Sequence, residues 1–600
     1  METLRDRNEI ELQYKWDLST IFASDAAWAE AFQPCESLIE KACSYQGTLT
    51  DAPTIKEYLD TYMELTGQVQ DILTYASLRH SEDTRATDAK EMHGKAFSLY
   101  IKAMGATAFG EPEILSLPQE LLEAIASDEC LREYAFFLHN IIRRKKHMLT
   151  AREEELLARF GEAFNAAAEI AESLRDSDMV FESILDGEGN TRELNNASYI
   201  LMQGSRDRVL RKNSFKSYYK SYIGHINTLA SAYGAYIKKS VTEAKARGYA
   251  SSREMAMDLE NIPVSVYDSL IEIVHSHMDL MHRYVALRKR ILGLDELHYY
   301  DIYAPLSQGI GRKYTYEEAQ QMILEALRPL GEEYEETVRM AFQDRWIDVF
   351  PNKGKSSGAF SSGTYGSNPV IMCNFTGTLD SVSMIAHEMG HSMHSWMTHR
   401  SQPIQYSDYT AFVAEVASTV NENLLIEQLL SKETDPRARL MFLNQYLEGF
   451  KGTVYRQTMF AEFEKEAHAM AERGEIITPD ALNKLYEGLI RQYFGSGLAL
   501  DDEVKYEWAR IPHFFYQFYV YVYATGYCSA VAISEKVLKE KEPAVKKYLE
   551  FLSMGGSRHA LDELAHAGVD LRTTEPLEIA LLKFEKVLDD AERTAASLGL

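Results

Sequence analysis

The chain has 600 residues, of which 46% are hydrophobic and 26% are charged, a composition typical of a soluble globular protein with two or more lobes. Its net charge of −27 argues against a nucleic-acid-binding protein, because such proteins need a basic face. The five cysteines form no CxxC pair and the N-terminal stretch has no apolar signal segment, so we expect free thiols and a cytoplasmic location.

Amphipathic helical patterns dominate the chain. Two long examples begin at Ala151 and Pro576, where apolar residues recur at spacings of three and four. No fixed-period repeat and no low-complexity linker interrupts the pattern. We therefore predict a mainly α-helical protein, with an N-terminal helical region over residues 1–200 and a longer helical region over residues 201–600 that carries the chemistry.

A segment rich in glycine, serine and asparagine breaks the helical pattern over residues 352–381. Within it, the short apolar run VIMCNF, from Val370 to Phe375, predicts a strand. Asp380 is the expected N-cap of the following helix, because its side chain can accept a hydrogen bond from a free backbone N–H. The sequence therefore predicts a small β element directly before the helix that carries HEMGH.

The motif HEMGH, residues 387–391, has the H-E-x-x-H spacing of a metal site. His387 and His391 lie one turn apart on the same helix face, so both imidazoles can reach one ion. Zn²⁺ accepts such nitrogen ligands in a tetrahedral arrangement. Glu388 is turned about 100° away, so it is not a ligand but can reach a water molecule at the metal. The motif predicts one zinc ion per chain, with Glu388 as general base.

A catalytic zinc site needs a third protein ligand, and the sequence leaves two candidates for it. His394 is too close to His391 on the same helix to complete the tetrahedron, and Met397 stands where a longer histidine motif would place a ligand. A carboxylate from the next helix is the better candidate. Glu415 and Glu422 are seven residues apart and share a face, and helix geometry alone does not choose between them.

A stretch without charged residues lies between Arg510 and Glu535. Its histidine, glutamine and tyrosines argue against a membrane span and favour a buried helix. On a helical wheel that starts at His513, four of the five tyrosines share its face and only Tyr521 points away. Because buried hydroxyl groups need hydrogen-bond partners, such a face suits a wet cleft better than a core. The tyrosines on this predicted face are Tyr516, Tyr519, Tyr523 and Tyr527.

Several motifs together resemble the thimet-oligopeptidase-like zinc peptidases and, among them, the oligoendopeptidase F branch. They are HEMGH with His394, the later FVAEVAS and HFFYQFYVYVYATG, and also YKWDLSTIF, LHYYDIYAPL, GKSSGAFSSGTYGSNPVIMCNF and GGSRHALDELAHAGVDL. The resemblance extends over nearly the whole chain. It implies a mostly helical protein with two lobes around a deep channel, which would admit oligopeptides and exclude folded proteins.

The resemblance also implies a ligand set for the metal. The family's E-x-x-S element falls on residues 415–418, from Glu415 to Ser418, and this match selects Glu415 over the other carboxylate. His387 and His391 match the two histidine ligands of the family. Glu388 matches its general base.

The resemblance also implies a second group of residues, which would contact the substrate. His513 matches the family's catalytic-region histidine, and Tyr519 and Tyr523 fit the oligoendopeptidase branch best as groups that hold the oxyanion and position the peptide. The run Val370 to Phe375 would be the edge strand that pairs with the substrate backbone. In the glycine-rich loop, Ser356 stands where relatives often have arginine after GK, a departure that we expect to alter subsite preference.

These predictions combine into a cytoplasmic zinc endopeptidase that hydrolyses internal bonds of short oligopeptides, within a catalytic region over residues 201–600. Peptide substrates are the expected partners, without nucleic acid or membrane, and the oligomeric state is left open. Two alternatives stay open: a zinc carboxypeptidase on a similar helical frame, and a helical protein that binds peptides without hydrolysing them. Product analysis separates the two enzymes, and bound zinc without hydrolysis would indicate the binding protein.

Overall fold

The computed structural model describes residues 4–306 and 312–600. The chain is mainly helical, as predicted, and it forms two compact units that are each built from three chain segments. Among the described residues, the first unit comprises 4–148, 312–428 and 533–569, and the second comprises 149–306, 429–532 and 570–600. The predicted division of the sequence into residues 1–200 and 201–600 is a different division from these two units, and it stays a prediction.

Helices supply most of the first unit. The longest is Ala52–Glu82, which pairs with Thr87–Thr107. The helices of this unit are Asp25–Glu30, Phe32–Cys43, Ala52–Glu82, Thr87–Thr107, Gly110–Ser116, Gln119–Ala126, Ala135–Arg144, Tyr316–Leu327, Glu332–Gln343, Leu379–Ser401, Ala411–Lys432, Glu542–Leu552 and Ala560–His566, of which Ala411–Lys432 extends past the last residue of its segment.

The second unit is also helical. The amphipathic pattern that begins at Ala151 forms two helices with a break at Phe160, and the pattern from Pro576 forms one long helix. The helices are Ala151–Arg159, Gly161–Ser173, Asn196–Gln203, Arg208–Gly224, Ile226–Ala246, Ser252–Asp258, Val264–Ser276, Met278–Ile291, Pro436–Gly449, Arg456–Glu472, Pro479–Phe494, Tyr521–Glu540, which begins in this unit, and Glu575–Ser597. Two short strand pairs accompany them, Ile184–Leu185 with Thr191–Arg192 and Leu297–His298 with Leu498–Ala499.

A three-stranded sheet in the first unit confirms the small β element before the HEMGH helix. Its middle strand, Val370–Met372, is buried and lies parallel to Ile347–Asp348 and antiparallel to Phe360–Ser362. The expectation that VIMCNF forms the sheet edge is therefore wrong, because an uninterrupted apolar run is suited to a strand that is covered on both sides. Among the described residues, Phe360–Ser362 is an edge of this sheet.

The HEMGH helix runs from Leu379 to Ser401, directly after the sheet. Its N-cap is Thr378, whose hydroxyl accepts a hydrogen bond from the backbone N–H of Ser381 at 3.2 Å. The expected N-cap, Asp380, is instead inside the first turn, where its carboxylate complements the helix dipole. The correction moves the helix start by two residues and leaves the histidine face unchanged.

The charge-free stretch is not one continuous helix. A 3₁₀ turn covers Pro512–Phe515, and the α-helix begins only at Tyr521. Between them Phe518 adopts φ +50°, a left-handed conformation that interrupts any right-handed helix. The helical wheel drawn through the whole stretch was therefore wrong. Within the described parts of the chain, none of the helices combines the length and apolar character that crossing a membrane requires.

Candidate metal centre

The HEMGH helix and the helix Ala411–Lys432 cross at very short distance. A Cβ atom added to Gly390 would lie 2.5 Å from both the carbonyl oxygen of Ala417 and the Cα of Ser418, so only glycine permits this approach. Nearby, Nδ2 of Asn421 donates to the carbonyl oxygen of Ala386 at 3.0 Å. The crossing brings the second helix within reach of both histidines.

Three side chains meet at this crossing with one ligand atom each. Nε2 of His387 lies 3.2 Å from Nε2 of His391, and Oε2 of Glu415 lies 3.4 Å and 3.6 Å from these two nitrogens. Around a tetrahedral zinc ion with bonds of about 2.0–2.2 Å, ligand atoms are roughly 3.3–3.6 Å apart. The triangle therefore fits one face of a zinc tetrahedron.

The two candidate carboxylates occupy different positions around His387. Oε2 of Glu415 faces the ligand nitrogens, and the hydroxyl of Ser418 donates to the backbone oxygen of Glu415 at 2.9 Å and to its Oε2 at 3.3 Å. Oε1 of Glu422 lies 3.4 Å from Nδ1 of His387, on the far side of the ring, without the alignment of a hydrogen bond. Glu422 is thus placed to orient the imidazole rather than to join the triangle.

His394 belongs to the core and not to the metal centre. Its ring is 1% exposed and stacks on Tyr409 at 3.7 Å between centroids and 4° between planes. Burial lowers the pKa of His394 to about 3, so the ring is neutral at physiological pH. This position agrees with the expectation that His394 does not complete the ligand set.

The two histidines of the triangle differ in pKa. Burial would lower the pKa of His387, but the carboxylates of Glu415 and Glu422 outweigh burial and raise it to about 10. Burial and the charge on His387 lower the pKa of His391 to about 4. The pKa of Glu415 is held below its usual range by His387. The two carboxylates therefore favour the protonated form of His387.

We expect zinc binding to release about one proton from this triangle near pH 7, because a ligand imidazole must be neutral. Since the pKa of His387 is about 10, the apparent zinc affinity should fall about tenfold for each unit that the pH drops from 8 to 6. Titration calorimetry in buffers of different ionisation enthalpy measures the released protons. The measurement is made in Glu388→Gln, which removes the titration of the neighbouring carboxyl, and a zinc affinity independent of pH would contradict the prediction.

Glu388 lies beside the triangle and is 8% exposed. Burial raises its pKa to about 7, although the charge on His387 opposes the shift, and the backbone of Ser361 contributes a hydrogen bond. The hydroxyl of Ser361 lies 2.8 Å from that of Ser392, so the edge strand rests on the HEMGH helix beside this carboxyl. A carboxyl whose pKa is near neutrality can both accept and return a proton. No periodicity or motif in the sequence points to Ser361.

The close helix crossing at Gly390 gives a stability prediction. Gly390→Ala would press the new methyl group against the backbone at Ala417 and Ser418, and overpacking of this kind costs about 1–3 kcal/mol. We expect a lower melting temperature and less bound zinc, because the helices must separate. Gly105→Ala is the matched control, since nothing lies within 4 Å of its added Cβ. Equal thermal stability of the two variants would show that the crossing is not tight.

His513 lies in the second unit, in a cluster with three of the predicted tyrosines. Its ring centroid is 6.0 Å from that of Tyr516 and 5.9 Å from that of Tyr523, and the Tyr519 ring lies 5.2 Å from the Tyr523 ring. The hydroxyl of Tyr523 is 3.5 Å from Nε2 of His513. Burial lowers the pKa of His513, which favours the neutral imidazole. The cluster therefore presents neutral hydrogen-bonding groups.

Tyr527, which the helical wheel also placed on the face of His513, has an aromatic partner in the core. It is 9% exposed and packs against Phe450, at 5.1 Å between ring centroids. Tyr516, in contrast, is 59% exposed. Tyr523 and Tyr527 lie four residues apart on the α-helix that begins at Tyr521, so the left-handed residue Phe518 changes the position of both relative to His513.

Comparisons with known proteins give matches over nearly the whole chain. The family model for peptidase family M3 matches residues 201–582, and that for oligopeptidase F matches residues 113–181. Oligopeptidase PepF of Bacillus subtilis strain 168 is 43% identical over 594 residues, 98% of this chain and 88% of that protein. The crystal structure of oligoendopeptidase-F from Enterococcus faecium is 34% identical with a TM-score of 0.75, covering 96% of this chain and 99% of that one. A crystal structure from Chlamydophila abortus, also 34% identical, has a TM-score of 0.93 and covers 99% and 100%.

Proposed function

We propose that this protein, which belongs to peptidase family M3, hydrolyses internal bonds of short oligopeptides with the help of one zinc ion per chain. Membership of the family makes it a metalloendopeptidase. The observation that carries the finer proposal is the triangle of His387, His391 and Glu415, whose ligand atoms are 3.2–3.6 Å apart. These three residues would hold the zinc ion.

The chain's own groups would move the protons of the reaction. Bound zinc would supply Lewis acidity to the attacking water and to the scissile carbonyl. Glu388, with its pKa raised to about 7 by burial, would take a proton from the water and return it to the leaving amine. Glu422 would keep the ring of His387 oriented through the Nδ1 contact.

His513, Tyr519 and Tyr523 are proposed to bind the substrate and the negative charge that develops on its carbonyl oxygen. Their mutual contacts support this assignment, since they form a cluster of neutral donors in the second unit. Preorganised donors of this kind typically contribute a few kcal/mol each to the rate. The channel that would limit substrate length stays a prediction.

We further propose that the strand Phe360–Ser362 pairs with the main chain of the peptide, the role that the sequence assigned to VIMCNF. Support comes from its place at the sheet edge and from the contact of Ser361 with Glu388. Ser356 precedes this strand in the same loop, and its effect on subsite preference remains to be measured. All five cysteines are free, which supports the proposed reducing, cytoplasmic location.

The deciding experiment incubates the purified protein with a quenched fluorescent peptide of about eight residues, a length that an extended-strand contact can accommodate. The reaction is run with and without a chelator, then after zinc is restored, and the products are identified by mass spectrometry. Internal cleavage that the chelator abolishes and zinc restores is the expected result. Stepwise loss of C-terminal residues would indicate a carboxypeptidase, and bound zinc without cleavage would indicate a peptide-binding protein.

A further inference from the structure

We propose that Glu464, a buried carboxyl outside the metal centre, is a positioning residue that holds the backbone turn at Phe518 and thereby sets Tyr519 and Tyr523 against His513. The inference rests on the proposed function of these three residues. Glu464 lies on the helix Arg456–Glu472 in the same unit as the cluster.

The turn at Phe518 is a strained piece of backbone. Its φ of +50° is a conformation that an aromatic residue rarely adopts, because the Cβ atom crowds the following carbonyl. Such a residue persists only where the surrounding structure over-determines it. Phe518 is also 3% exposed, so its backbone N–H cannot be satisfied by bulk water.

Glu464 supplies the partner for that N–H. Its Oε1 accepts a hydrogen bond from the backbone N–H of Phe518 at 2.7 Å, and the residue is fully buried. Oε2 of Glu464 has no hydrogen-bond partner among the described residues. Burial raises the pKa of Glu464 well above its usual value, which favours the neutral acid. A buried carboxyl with one hydrogen bond contributes little to the stability of the fold. Among the described residues, the one hydrogen bond that the structure gives the Glu464 side chain is to the turn at Phe518.

Further contacts hold Phe518 and Gln517 in place, and together with the hydrogen bond to Glu464 they form a clamp around the turn. The Phe518 ring packs on His468, one helical turn beyond Glu464, at 4.6 Å between centroids, and on Tyr267 at 5.9 Å. Nε2 of Gln517 donates to the backbone oxygen of Ser252 at 3.2 Å. The clamp therefore fixes the side chain of Gln517 and both the ring and the backbone of Phe518 against the surrounding helices.

The position of the turn explains why it determines the placement of Tyr519 and Tyr523 relative to His513. Phe518 lies between His513, in the 3₁₀ turn, and Tyr523, in the first turn of the α-helix. The backbone N–H of Tyr519 donates to the carbonyl oxygen of Tyr516 at 3.0 Å, which continues the turn into the cluster. A right-handed φ at Phe518 would redirect the chain and separate the His513 and Tyr523 rings, now 5.9 Å apart.

The test compares Glu464→Leu, which removes the acceptor, with Glu464→Gln, which keeps one. Misplacement of about 1 Å can cost 10²-fold in rate, so we expect Glu464→Leu to lower kcat at least about tenfold with zinc content at one per chain. Glu464→Gln should restore kcat to within about threefold of the parent enzyme. Tyr455→Phe is the matched control, because it removes one buried hydrogen bond to the backbone oxygen of His277 in the same unit and should leave kcat unchanged.

A second pair of variants tests the turn even where Glu464→Leu does not fold. Phe518→Gly and Phe518→Ala lose the same ring, but only glycine adopts φ +50° without strain. We expect a several-fold higher kcat for Phe518→Gly than for Phe518→Ala, and equal values would overturn the proposal.

The variant His513→Gln distinguishes the function proposed for the cluster from the positioning role proposed for Glu464. It should lower kcat if the cluster acts on the substrate. A loss in His513→Gln together with full kcat in Glu464→Leu would overturn the role of Glu464 and leave the proposed function standing. Full kcat in His513→Gln would instead refute the function proposed for the cluster, and the positioning role would fall with it.

Discussion

Glu388→Gln is expected to bind one zinc ion per chain and to lose turnover by about 10²–10⁴-fold, the contribution typical of a general acid–base group. The amide has nearly the shape of the carboxyl, so the packing beside His387 is preserved, but it cannot take a proton from water. The ligand atoms of the triangle do not include Glu388, and the metal should therefore remain.

The measurement is kcat on the quenched peptide, with zinc per chain determined by elemental analysis of the same samples. Asp380→Asn is the matched control, because it neutralises an exposed carboxylate in the first turn of the same helix. The control should leave turnover unchanged. Parent-like turnover in Glu388→Gln would show that another group activates the water.

Glu415→Ala is expected to weaken zinc binding by more than about 100-fold, because it removes one of three protein ligands. Glu422→Ala should weaken it less, by about 10–100-fold at most, the range found for residues that orient a ligand. The resemblance selects Glu415 as the ligand, and the 3.4 Å contact of Glu422 with Nδ1 of His387 predicts a smaller loss for Glu422→Ala.

Competition with a chromophoric chelator measures both affinities at one pH. The two variants serve as controls for each other, since each removes one carboxylate from the same face of the same helix. A larger loss in Glu422→Ala than in Glu415→Ala would transfer the ligand role to Glu422. Thermal melting with and without zinc gives an independent check, because bound metal raises the melting temperature only where it binds.

The sequence by itself determined the local features of the site. The i, i+4 spacing of His387 and His391 places both rings on one helix face wherever that helix lies, because the periodicity is a property of the helix alone. The apolar run from Val370 likewise predicted a strand, and the resemblance of the motifs placed the chain in the right family. These conclusions depend on neighbours in the sequence, so they needed no knowledge of packing.

Only the tertiary structure decided which side chains meet. Glu415 and Glu422 are equivalent on their own helix, and the crossing at Gly390 brings Glu415 to the Nε2 atoms of His387 and His391. The same holds for the order of the sheet and for the left-handed turn at Phe518, which a helical wheel cannot contain. A turn of this kind is unfavourable for its own residue and persists because Glu464 accepts a hydrogen bond from the backbone N–H of Phe518. Glu464 is 54 residues away from Phe518 in the chain. Interactions between such distant residues are set by packing and not by local periodicity.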